Sequence, residues 1–97
     1  MGSWMVERRL AKVASRLKSL RAELAVIDEQ LRHLGDDADD QALRALVSET
    51  PGADQEARHA RRHLESMQRH RQYVLDEIAE LEARQDELLD RLSAVGR

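Results

Sequence analysis

Ninety-seven residues with no cysteine, an aromatic content of 2% and a net charge of −3 bound the chain to one domain and exclude a disulfide scaffold or a cysteine-based metal site. No apolar run approaches the roughly 18 residues of a membrane span, and the N-terminus lacks the apolar stretch of a signal peptide. The expectation is a cytoplasmic protein with no membrane contact.

With Trp4 and Tyr73 as its only aromatics, the chain must build its core from Leu, Val, Ile, Met and Ala. Charged residues make up 36%, and abundant Ala, Glu, Leu and Arg is the composition of long helices. From the N-terminus, Val6, Leu10, Val13, Leu17, Leu20, Leu24, Ile27, Leu31 and Leu34 follow one another at alternating spacings of 4 and 3. That is a heptad seam, and it predicts a helix over about 5–34, stopped by Gly35. Next come Asp36, Asp37, Asp39 and Asp40. Leu43, Leu46 and Val47 then fit one short helix at the tip, capped by Asp39 or Asp40 and folded onto Ala57 and Ala60. A connection over 35–52 is too long for a tight turn between helices. Thr50-Pro51-Gly52 breaks the chain, Asp54 is the predicted N-cap, and a long helix follows over about 54–95. Its seam starts Ala57, Ala60, Leu64, Met67 and continues Arg71, Val74, Ile78, Leu81, then Gln85, Leu88, Leu92 and Val95. Gly96 is the predicted stop.

Charge fixes the orientation. Residues 6–21 carry six basic and one acidic side chain, and residues 22–40 one basic and seven acidic. Residues 57–72 carry five basic and one acidic, and residues 73–97 three basic and seven acidic. Plus-then-minus lies against minus-then-plus only when the helices run antiparallel. Placing Leu34 opposite Leu64 then matches every layer back to Val6 opposite Leu92. Arg71 and Gln85 are polar seam residues, which set register at some cost in stability, and Arg71 is within reach of Asp28. The expected fold is all-α: a two-helix antiparallel coiled-coil hairpin with a short helix at the tip. A two-helix seam buries little. Leu75 and Leu89 widen the apolar face of the long helix, with Tyr73 and Val26 further out, so two hairpins are expected to pair as a homodimeric four-helix bundle, with Tyr73, Leu75 and Leu89 at the dimer contact.

No catalytic constellation can be assembled from these residues, so a non-catalytic interaction module is expected, without cofactor or bound metal. Asp36, Asp37, Asp39, Asp40 and Ala42 form the candidate partner-binding tip. Asp37-Ala38-Asp39-Asp40-Gln41-Ala42 reads D-x-x-D-x-A and resembles the coiled-coil tip of the DksA-type factors. Those factors enter the secondary channel of bacterial RNA polymerase, and Gre-type factors similarly present acidic residues at a hairpin tip. The resemblance covers six residues and implies transcription control, with RNA polymerase or a sigma factor as the partner. It lacks the family's zinc-binding cysteines and globular docking domain. Ser66 and Arg69 keep one spacing of the hairpin anti-sigma factors that bind cyclic di-GMP, but the rest of that motif is missing. Arg58, Arg61, Arg62 and Arg69 make a basic face suited to phosphates, so nucleic-acid binding is the alternative, followed by a purely structural coiled-coil adaptor. His59 and His63 stand at i and i+4, a spacing that can share a metal, but His59 is not followed by the Glu of the zinc-protease helix.

Overall fold

The computed structural model describes residues 2–95, with the side chains of residues 3–94. Among the described residues there are two helices and no strand: α1, Gly2–Ser48, and α2, Pro51–Val95. The chain is an all-α helical hairpin, as the heptad pattern requires. Gly96, the expected stop, lies outside the described residues.

α1 does not end at Gly35, and no separate short helix forms at the tip. The helix runs through the aspartates to Ser48. Local propensity opposes this. Gly costs about 1 kcal/mol in a helix interior and each Asp roughly half that, so Gly35 and four aspartates together cost about 3 kcal/mol. Packing overrides propensity, because the 4,3 spacing continues past Leu34 through Ala38, Gln41 and Ala45, and all three are half-buried. An ion pair one turn apart, Arg44 Nη2 to Asp40 Oδ2 at 3.1 Å, adds local support.

The link is Glu49-Thr50, a tight turn between helices. Glu49 takes a left-handed conformation with φ of 51°, the usual way to end a helix, though glycine or asparagine normally occupies it. Its amide donates to the Ala45 carbonyl at 3.2 Å. Thr50, not Asp54, is the N-cap of α2. The Ala53 amide donates to Thr50 Oγ1 at 3.3 Å, and the Asp54 amide to the Thr50 carbonyl at 3.1 Å. Pro51 suits the first helical position, where its missing N–H costs nothing. Asp54 sits inside the first turn, where its charge favours the helix dipole.

The chain divides into two compact units, Met1–Leu24 with Val74–Arg97, and Ala25–Tyr73. In the first unit the seam is well buried: Val6, Val13, Leu17 and Leu20 from α1, and Val74, Ile78 and Leu88 from α2. Leu17, Leu20 and Val74 are the largest fully buried side chains, each contributing roughly 1.5–3 kcal/mol by burial. Gln85 is half-buried at its seam position. Two ion pairs cross between the helices on opposite flanks of the seam. Arg16 Nη2 meets Glu77 Oε1 at 3.0 Å, with Nε on the same oxygen at 3.3 Å. Arg21 Nη2 meets Glu82 Oε2 at 3.4 Å. These are the flanking pairs of a register that sets Leu20 opposite Ile78.

The second unit is built more thinly. Ile27 and Ala60 are its buried apolar residues, while Leu31, Leu34, Leu64 and Met67 are half-buried. Toward the link both seams turn small, with Ala38 and Ala45 on α1 and Ala53 and Ala57 on α2. Arg71 Nε donates to Asp28 Oδ1 at 2.6 Å, so the polar seam residue meets the carboxylate that its position predicts.

Candidate functional site

Extending the heptad register of α1 toward the link sorts its side chains. Ala38, Gln41 and Ala45 take the inward positions. Asp36, Asp39, Asp40, Leu43, Leu46 and Val47 recur at spacings of 3, 1, 3, 3 and 1 on the opposite face, and all six are exposed. Leu43 is 60% exposed, Leu46 75% and Val47 79%. Leu43, Leu46 and Val47 were expected to fold onto Ala57 and Ala60. They do not, because the unbroken helix gives the inward positions to Ala38, Gln41 and Ala45. The result is one face, acidic in its first half and apolar in its second. Three large aliphatic side chains thus stand exposed side by side, bordered by charge. Counting on from Leu34 in steps of 4 and 3 would have placed these three residues outside.

The predicted tip residues therefore do not lie at the tip. Asp36, Asp37, Asp39, Asp40 and Ala42 are all on α1, with Ala42 seven residues short of Glu49. Asp37 is separated from the other aspartates and borders an open groove with Gln41, Glu56 and His59. Arg44, Ser48, Thr50 and Ala53 border a second groove, beside the exposed Leu43 and Val47.

On α2 the basic side chains Arg58, Arg61, Arg62 and Arg69 are exposed. Arg61 Nε meets Glu65 Oε1 at 3.2 Å. Among the described residues no ion pair is made by Arg58, Arg62 or Arg69, and Arg58 and Arg62 border the same groove as Asp37. His33 and His63 border a groove floored by Leu34 and Met67. Among the described residues no group of three or more His, Cys, Asp or Glu side chains is arranged to hold a metal. Glu29 is held below the usual carboxylate range, first by its hydrogen bond and charge interaction with Arg32 and then by His33, whose Nε2 lies 3.3 Å away.

Of the residues expected at a dimer contact, Tyr73 is 72% exposed, Leu89 48% exposed and Leu75 half-buried. The first unit has a second apolar exposure, on α1. Trp4 is 58% exposed and Met5 47%, and the Arg8 guanidinium lies 5.5 Å from the Trp4 ring centroid, a cation–π contact. Arg8, Lys12, Ser15 and Ser19 continue this outward face along an open groove. No helix among the described residues is long and apolar enough to cross a membrane. No family model, no curated protein and no solved structure matches this chain.

Proposed function

We propose that the chain is a non-catalytic, cytoplasmic docking module that engages a protein partner through the outward face of α1 near the link. One observation carries this: Leu43, Leu46 and Val47 stand 60–79% exposed in line with Asp36, Asp39 and Asp40. Desolvated aliphatic residues flanked by charge supply affinity at the centre of a contact and specificity at its edge. The grooves nearby are open and shallow, which suits a protein surface better than an enclosed small molecule.

Of named partners, bacterial RNA polymerase or a sigma factor is what the D-x-x-D-x-A resemblance implies. That identification needs the motif at the turn, and here it sits in helical backbone before the turn, so the class of docking module has more support than the transcription role. The second reading is nucleic-acid binding, favoured by Arg58, Arg62 and Arg69 having no ion pair among the described residues. One capture experiment separates them. Tagged protein and the Leu43→Asp/Leu46→Asp and Arg58→Ala/Arg62→Ala/Arg69→Ala variants are incubated with host lysate, with and without nuclease. A protein partner retained after nuclease and lost only from the leucine variant supports docking, and polymerase subunits or a sigma factor would add the transcription role. Material lost with nuclease and from the arginine variant refutes docking in favour of nucleic acid.

A further inference from the structure

Resting on the docking reading above, we infer that the outward face of α1 near the link docks on the outward face of α2 in a second copy of this chain, so that copies join head to tail. All the residues concerned belong to the compact unit Ala25–Tyr73.

The heptad register of α2 sends Pro51, Gly52, Gln55, Arg58, His59 and Arg62 away from the seam, and all six are exposed. This face is basic where that of α1 is acidic. The helices of the unit run antiparallel with Leu34 opposite Leu64, a register in which Arg71 meets Asp28 and His33 and His63 border one groove. Counting from that layer toward the link puts Asp36 level with Arg62, Asp39 with His59 and Asp40 with Arg58. It puts Leu46 and Val47 level with Gly52 and Pro51. The acidic layers of one face thus coincide with the basic layers of the other, and the aliphatic layers with the uncharged start of α2. Within one chain the two faces point away from each other and cannot meet. A second copy set beside the first in the same orientation brings α1 of one against α2 of the other at matching levels, with opposite charges facing.

The single chain leaves these charges unspent. Among the described residues no ion pair is made by Asp36, Asp39, Arg58 or Arg62, and Asp40 holds only Arg44 on its own helix. The aliphatic layers are equally uncovered, with Leu46 75% and Val47 79% exposed. Opposite them the start of α2 is low and open: a Cβ built at Gly52 finds nothing within 4 Å, which leaves room for a leucine from a neighbour. Unlike faces that meet in this way make a head-to-tail contact, which leaves one face of each copy open and therefore repeats. The contact differs from the dimer interface that the sequence suggested, which used Tyr73, Leu75 and Leu89.

Sedimentation equilibrium of the full chain tests this. The mean mass should climb with concentration past that of two chains and fall as salt is raised. Asp36→Arg/Asp40→Arg and Arg58→Asp/Arg62→Asp each reverse one face at exposed positions, with helicity checked by circular dichroism. Each variant alone sets like charges together and should associate at least about tenfold more weakly than wild type. Their equimolar mixture should recover the assembly, because each reversed face then meets its opposite. Added to wild type, Asp36→Arg/Asp40→Arg should cap growth, since one of its faces still binds and the other does not, so the mean mass falls as its share rises. A wild type that stays monomeric or stops at two copies, variants that assemble as it does, or a mixture that stays dissociated overturns the inference. The docking reading then stands if the Leu43→Asp/Leu46→Asp variant still loses a different captured protein, and falls if it does not.

Discussion

Replacing Gly35 with Ala decides by its sign whether α1 continues through the aspartates. Gly35 lies inside the helix, no glycine among the described residues has positive φ, and a Cβ built there finds nothing within 4 Å. Alanine therefore meets no clash and no backbone strain. What remains is helix propensity, worth about 0.8–1 kcal/mol in favour of alanine. For a chain of this size that raises the thermal midpoint by roughly 4–8 °C, read by far-ultraviolet circular dichroism. Were Gly35 instead a left-handed helix stop, the same substitution would cost about 1–2 kcal/mol and lower the midpoint. A fall of several degrees would refute the continuous helix, and with it the sorting of Leu43, Leu46 and Val47 to the outside.

Three further substitutions probe the link, the seam and the exposed acids. Glu49→Gly should stabilise the hairpin by about 1 kcal/mol, since Glu49 holds a φ of 51° that strains any residue with a Cβ; a lower urea midpoint would show that the turn is not left-handed. Arg71→Leu removes a pair whose side chains are 38% and 50% exposed, worth at most about 1 kcal/mol after solvent screening. It adds a half-buried leucine worth roughly 1–2 kcal/mol, so the urea midpoint should rise slightly, and a clear fall would mean that the ion pair outweighs the apolar gain. Glu29 has a lowered pKa, caused first by Arg32. Its contribution is thus complete above the ordinary carboxylate range and fades as pH falls through that range toward the lowered folded value. Glu29→Gln should make the thermal midpoint less sensitive to acidification across that window, and an unchanged pH profile would count against the contact.

The sequence was most legible where the seam is rich in leucine. From Val6 to Leu34, and from Leu64 to Leu92, large aliphatic residues at alternating spacings announce both the helix and its buried side, and Val6, Leu17, Leu20, Ile27, Val74 and Leu88 are buried as that pattern demands. The charge reversal along each helix likewise gave the antiparallel register and the Arg71–Asp28 pair. Legibility failed between Gly35 and Asp54, for two physical reasons. Ala38, Gln41 and Ala45 hold the seam without standing out as apolar, so the periodic signal faded while a glycine and four aspartates spoke for a break. The link hid behind Glu49, because a left-handed residue at a helix end is usually glycine or asparagine. The aspartates and arginines were correctly read as exposed, but the exposed leucines beside them were assigned to a core.

That last error bears on function. Near the link the chain places alanine and glutamine in the seam and leucine and valine outside it. Moving the aliphatic residues inward by one or two positions would bury them against α2, at roughly 1.5–3 kcal/mol for each. The arrangement instead leaves unit Ala25–Tyr73 thinly packed and keeps three apolar side chains in water. A hairpin shaped for stability alone would make the opposite choice. On the docking reading proposed above, a contact outside the chain buries this exposed apolar surface. On the same reading, the aspartates set one turn before it favour a partner surface carrying both aliphatic and cationic groups.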